Sequence, residues 1–398
     1  MAVKCITCKG RGLCGRPVCP LLIKLEELAA LPRIGNRLAG ESPPEIFVGR
    51  HGYPVVRAGP LVPVGGSPEK PALDIFRIIS LRTRMIRSEL EIHVQDAKNP
   101  GRLLESAQQI AMSSKPVETE VSFVKPPEGR MLFDGVLSPM GPGGRIEDMD
   151  ITGNPFVPRK VDQIVGDTDL RASSAVCELY SSSISVDHIS RLLSIGLLGR
   201  ERRLVPTRWA ITASDDIIGN ALRSRILDMP EFGGYELYSG GILGNHFEII
   251  LMPGAYSFEL IEIWHPGSAW SPEHLWMGSD REGAAGRRSY SPLAGGYYAA
   301  RLPVLEHLLR MKRQAGVLAL REITEEYWAP LGVWVVRDAA RAAMASRPLR
   351  FETLEEAIRS AESRMRTKSS AWKHHSKSFS RQTTLSSFFA AHSAADLQ

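Results

Sequence analysis

Two apolar runs constrain the fold of this chain more than any other feature: HFEIILM (246–252) and FELIEIW (258–264), on either side of a Pro253–Gly254 step. Both alternate with the two-residue period of an extended strand, and Pro-Gly marks a reversal. The pair reads as an antiparallel hairpin. Strands this apolar must be covered, and stretches with helical spacing elsewhere in the chain supply the cover. The expected fold class is therefore an α+β mixed globular body, with a small N-terminal zinc-binding element and a flexible C-terminal tail.

With 398 residues, 43% of them hydrophobic and 23% charged, the chain is long enough for two or three domains around substantial cores. No window approaches the roughly 18 apolar residues of a membrane span, and the N-terminus has no charged-then-apolar leader. The expectation is a cytoplasmic, nucleoid-associated protein without membrane contact. A net charge of +5 permits a polyanionic partner without requiring one.

Helical spacing runs through 71–114, LLIKLEELAA after residue 20, VDHISRLLSIGLL, YYAARLPVLEHLLRMKRQAG and LEEAIRSAESRMRT; ETEVSFVKPP and MLFDGVL read as strands. LPRIGNRLA partly matches half of a helix-hairpin-helix, but Arg33 replaces the first glycine of its turn, so it reads as a helix end. The organisation expected is an element at 1–20, a body at 21–366 with subdomains near 21–165 and 166–366, and a disordered basic tail at 367–398.

Four of the five cysteines, Cys5, Cys8, Cys14 and Cys19, follow C-x2-C-x5-C-x4-C, with glycines and a proline to turn the chain around one centre. Outside an oxidising compartment such a cluster reads as a site for one structural Zn2+, with an iron-sulfur cluster as the alternative. Lys4, Lys9, Arg11 and Arg16 between the ligands suit a nucleic acid. Cys177 stands apart and reads as a small apolar residue.

The string RERRLVPTRWAITASDD (200–216) joins Arg200, Arg202, Arg203 and Arg208 to Trp209, Asp215 and Asp216. Arginines beside an exposed tryptophan clamp phosphates and stack bases, and paired aspartates suit Mg2+. The structural alternative is a helix starting at Ser214 or Asp215, with Trp209 in the core. Adjacent helical aspartates diverge by about 100°, which disfavours one shared ion. Among the strand residues, His246 and Glu248 share a face, while Glu262 and His265 have opposite parity. Arg208, Asp215, Asp216, His246, Glu248 and His265 are the candidates for catalysis. SGGILGN lacks the lysine of a P-loop and the spacing of a dinucleotide fingerprint.

After residue 367 small and polar residues dominate, with no acid before Asp396, yet the segment contains RQTTLSSFF at 381–389. Gln382, Leu385, Phe388 and Phe389 fit Q-x-x-[aliphatic]-x-x-[aromatic]-[aromatic], the pattern by which short tails dock on sliding clamps. One helical turn brings Leu385 and Phe388 together as a plug, with Phe389 beside them and Gln382 at the pocket edge. Lys373, Lys377 and Arg381 would steer the peptide to an acidic surface.

The cysteine cluster, RRLVPTRWAITASDD, YYAARLPVLEHL, PLGVWVVR and QTTLSSFF together resemble the archaeal Nre family of DNA-repair proteins over essentially the whole chain. The resemblance implies a part in DNA-damage repair through the sliding clamp PCNA, with the terminal motif as the contact, and supplies no catalytic residue. Two readings follow: a clamp-recruited factor that contacts DNA through basic surfaces and the zinc element, or a clamp-recruited metal-dependent enzyme acting on DNA or a nucleotide.

Overall fold

The computed structural model describes residues 8, 11–13, 19–64, 74–128, 141–271 and 273–377. The strand expected at MLFDGVL (131–137) lies outside them, as does the whole clamp motif.

The first half opens with helix α1 (Pro20–Ala29) and builds one sheet from β1 (Arg37–Ser42), β2 (Ile46–Val48), β3 (Val55–Pro63), β4 (Met85–His93), β5 (Val117–Phe123) and β6 (Gly143–Ile151). The spatial order is β1-β5-β6-β4-β3-β2, with β4 and β6 parallel and the remaining neighbours antiparallel. Helices α2 (Ile75–Thr83) and α3 (Arg102–Met112) lie on either side of β4 in sequence. The uniform helical reading of 71–114 is thus corrected. MIRSELEIH alternates between covered and open positions, so its period of two prevails over its helix-forming residues.

Helices α4 (Arg159–Gly166), α5 (Ala172–Ser181), α6 (Val186–Ser194) and α7 (Thr207–Ile226) then lead to a second sheet. It contains β7 (Tyr235–Ile242), β8 (Asn245–Met252), β9 (Ser257–Trp264), β10 (Trp276–Glu282), β11 (Gly316–Ile323) and β12 (Leu349–Phe351), interleaved with α8 (Ala294–Met311) and α9 (Trp334–Met344). Helices α10 (Leu354–Glu362) and α11 (Ser369–Trp372) close the described chain.

The order of this sheet, β10-β9-β11-β8-β7-β12, overturns the expected hairpin. Strand β11 runs between β8 and β9, antiparallel to the first and parallel to the second. Its residues, GVLALREI, are buried throughout, as a central strand covered on both faces must be. The sequence reading assigned no strand there, and so lacked the one that separates the two runs. Skipping one strand requires about 10 Å, which four connecting residues span readily. The true hairpin joins β7 to β8 through Leu243 and Gly244, with φ of 51° and 70°. Positive φ at both central residues is the demand of a type I′ turn, and glycine meets it at the second.

One face of the second sheet carries α8 and α9, and α7 lies on α8. The main core runs without a break from Val56 and Ile86 of the first sheet, through α6, α7 and α8, to Phe247 and Leu260 of the second. The opposite face of the second sheet has its own core: Leu237, Ile250, Ile261 and Leu320 pack against Ile358 of α10, Met365 and Trp372. Trp372 is completely buried. Residues 367–377, expected to belong to an unfolded tail, are therefore part of the fold. Among the described residues no helix is long and apolar enough to cross a membrane.

Candidate functional site

The face of the second sheet beneath α10 mixes its aliphatic residues with carboxylates. Glu248 of β8, Glu259 of β9 and Glu322 of β11 are all buried. Buried carboxylates require partners, and the final segment of the described chain supplies them in order. Arg364 spans both oxygens of Glu248, Nε to Oε1 and Nη2 to Oε2, at 2.8 Å each. The backbone N–H groups of Arg366 and Thr367 donate to the two oxygens of Glu322, each at 2.9 Å, and the Thr367 hydroxyl adds a third bond at 2.7 Å. Ser376 Oγ and the Lys377 N–H donate to Glu259 at 2.9 and 2.5 Å. Residues 364–377 thus form a strap moored at three points along the sheet.

Two of the histidines singled out in the sequence sit at these moorings. His246 Nε2 is 2.8 Å from Glu248 Oε1, and His265 Nε2 is 2.9 Å from Glu322 Oε1. Burial alone would raise the Glu248 carboxyl, but hydrogen bonds from His246, Arg364 and Ser239 together hold it below its ordinary value. Glu322 has the same balance, with burial outweighed by the Arg366 N–H, His265 and Thr367. The oxygens that would ligate an ion are engaged by the strap. Glu262 lies on the other face, where Arg321 bonds its Oε1 at 2.5 Å and also grips Asn245.

The aspartate pair is not at a helix start. Helix α7 begins at Thr207, directly after Pro206, and Asp215 stands in its middle, fully buried against Arg337 of α9 at 2.6 Å. Burial pushes the Asp215 carboxyl up to about 6, with Arg337 opposing. Asp216 points elsewhere and receives Arg301 at 2.8 Å; the other arm of Arg301 meets Glu282 at 2.7 Å. The divergence expected of neighbouring helical residues thus separates the two carboxylates into two ion pairs.

The arginine string is also divided. Arg200 donates to the Asp169 carbonyl at 2.6 Å and Arg202 to the Val165 carbonyl, which anchors the loop before α7, while Arg203 pairs with Glu201. Arg208 is exposed on the first turn of α7. Trp209 beside it is half exposed, which corrects its expected place in the core, and its ring lies 5.7 Å from that of Tyr53. The six catalytic candidates therefore occupy four separate places: the open end of α7, the buried Asp215–Arg337 pair, the partly open Asp216–Arg301 pair, and the strap face.

At the N-terminus Cys8 is buried and its sulfur accepts the Leu13 N–H at 3.3 Å, while Cys19 caps α1 with extended backbone. An inward sulfur that accepts an amide N–H suits a thiolate ligand. Cys5 and Cys14 lie outside the described residues, among which no group of three or more histidines, cysteines or carboxylates is arranged to hold a metal. Cys177 on α5 has its thiol pushed up by burial, as suits an unreactive side chain.

The sequence reading missed Arg301, Arg321, Arg337 and Arg364, the cations that neutralise the buried acids. Their signal was indirect: Glu248, Glu259 and Glu262 interrupt strands that are otherwise apolar, and each such interruption calls for a cation or donor from elsewhere.

The family models for archaeal Nre, N-terminal, and archaeal Nre, C-terminal, match residues 13–271 and 282–388. The gap between the two matches falls within the second sheet and contains all of β10 except Glu282. DNA repair protein NreA of Archaeoglobus fulgidus is 42% identical over 396 residues, covering 98% of this chain and 99% of that protein. DNA repair protein NreB of the same organism is 38% identical over 364 residues, covering 89% and 91%. DNA repair protein NreA of Haloferax volcanii is 36% identical over 345 residues, covering 82% of each. No solved structure matches the chain. Matches along nearly its full length to both halves of one family establish that the chain belongs to the archaeal Nre family.

Proposed function

We propose that this protein is a DNA-repair factor recruited to the PCNA sliding clamp through Gln382, Leu385, Phe388 and Phe389, and that it contacts DNA through a basic surface and a four-cysteine element holding one structural Zn2+. The repair role follows the names of its relatives, all DNA repair proteins. Cys5, Cys8, Cys14 and Cys19 would hold the ion, which would fold the N-terminal element around itself.

The observation that supports recruitment best is the strap. Its last mooring is Lys377, held by Glu259 at 2.5 Å, and Gln382 follows five residues later. Five residues of chain reach at most roughly 18 Å, so a clamp bound at the motif would be held close to the body. Glu248, the sheet acid that sequence alone suggested for catalysis, serves in this reading with Glu322 and Glu259 to fix the root of the docking peptide. The enzyme alternative receives less support, because its candidates are dispersed among separate ion pairs.

Calorimetric titration of the full chain with archaeal PCNA tests the proposal. Binding by the wild type and its loss in a Phe388→Ala/Phe389→Ala variant with an unchanged unfolding midpoint is the expected result. Equal binding by the variant would overturn the assignment of the motif.

A further inference from the structure

Of the large apolar side chains left open to solvent, two from distant parts of the sequence meet. Tyr53, in the turn between β2 and β3, and Trp209, on the first turn of α7, are 49% and 50% exposed, with ring centroids 5.7 Å apart and planes inclined by 52°. The juxtaposition is built into the fold. The Val48 N–H at the end of β2 donates to Thr207 Oγ1 at 2.8 Å, which fixes the turn against the helix, and the Val94 N–H holds the Pro54 carbonyl at 2.9 Å. Neither ring is there to fill the core, since half of each remains open.

The two segments that carry the rings hold charge of one sign. Arg50, His51 and Arg208 are exposed, and none of the three has an ion-pair partner among the described residues. The turn 49–55 and the first two turns of α7, 207–213, contain no acidic residue. Exposed aromatic rings interleaved with two unpaired arginines match a strand whose bases are unstacked and whose backbone is anionic: the rings take the bases, which all have a π-face, and the arginines follow the phosphates, with the His51 ring as a further polar contact. Duplex DNA has its bases stacked on each other and offers the rings nothing.

We infer that Tyr53 and Trp209 form a base-stacking site for single-stranded DNA, with Arg50, His51 and Arg208 along the phosphates. The inference rests on the DNA contact proposed above and gives it a location and a strand preference. A protein partner would be the other occupant of such a surface.

The test is fluorescence anisotropy of labelled oligo-dT and of a labelled duplex with the full chain, in wild type, Trp209→Ala, Tyr53→Ala, Trp209→Phe and Arg208→Ala. A stacked base is worth about 1–3 kcal/mol, so either alanine variant should weaken oligo-dT binding about fivefold or more. Trp209→Phe should retain most of the affinity. Arg208→Ala should lower the slope of log K against log salt by about one. Thermal unfolding of each variant separates loss of binding from loss of fold, and Tyr53→Ala stands in if the helix variant is unstable. Wild-type binding to oligo-dT that persists unchanged in both alanine variants overturns the stacking site while leaving DNA contact intact elsewhere. Equal affinity for duplex and single strand overturns the strand preference. No binding by wild type at low salt removes both the site and the DNA contact on which it rests.

Discussion

Arg364 grips Glu248 with two parallel bonds of 2.8 Å, and thereby ties the segment after α10 to the middle of the second sheet. The carboxylate is fully buried, whereas the guanidinium is partly open. Removing the cation leaves the buried charge with only the Ser239 and His246 hydrogen bonds, at a cost of about 3 kcal/mol. Arg364→Ala should therefore lower stability by that order in chemical denaturation and make residues 364–377 more sensitive to limited proteolysis. Under the proposed recruitment, PCNA affinity should be unchanged, because Gln382, Leu385, Phe388 and Phe389 come after the strap in sequence. An intact strap and wild-type stability would contradict the mooring.

Arg337 and Asp215 form a second such pair, with both side chains buried and 2.6 Å between them. Asp215→Ala should destabilise the protein by about 3–5 kcal/mol, visible as a large fall in the unfolding midpoint. A catalytic aspartate would behave differently: its alanine variant would keep the fold and lose only activity.

Metal content provides a third test. Purified protein should contain about one zinc per chain by elemental analysis, and Cys8→Ser or Cys14→Ser should abolish it. Metal-free protein of equal stability would remove the zinc element.

Stability should fall in mild acid, and two histidines set the window. Burial pushes His188 and His307 from 6.5 down to about 4. The unfolded chain takes up protons at these positions first, so their contribution is complete above about pH 6.5 and is lost as the pH falls toward 4. Asp215 acts in the opposite sense, since its folded carboxyl, raised to about 6, binds a proton before the unfolded one does at 3.8. Asp338, whose carboxyl burial also raises, acts in the same sense as Asp215; the two large histidine shifts outweigh the one large aspartate shift and leave a net loss. Glu248 and Glu322, held below their ordinary 4.5, add a further decline only below that value. Denaturation midpoints measured between pH 7 and 4 should show this decline, and His307→Gln should flatten it; a level profile in the wild type would refute it.

The amphipathic helices α6 and α10 could be read from their spacing, as could the strand character of 246–252 and 258–264. The partners of those strands could not. Pairing is decided by which strand fills the space between, and GVLALREI carries no periodicity that separates a buried strand from a buried helix. The candidate residues divided in the same way. His246 and Glu248 share a face because strands repeat every two residues, and Asp215 and Asp216 diverge because helices turn 100° per residue. Their roles depended on Arg364, Arg337 and Arg301, which lie 85 to 122 positions away.

By itself, the sequence determined the family, the mixed α and β character, and two local patterns that involve only a few neighbouring residues, the cysteine spacing and the terminal Q-x-x-L-x-x-F-F pattern on which the proposed docking rests. The tertiary structure decided the order of the second sheet, the use of its acids as moorings for the strap, and the meeting of Tyr53 with Trp209. The physical reason is range. Spacing and periodicity are properties of a continuous segment, whereas the partner of a buried charge or an open ring comes from a distant segment and is fixed only when the chain has packed.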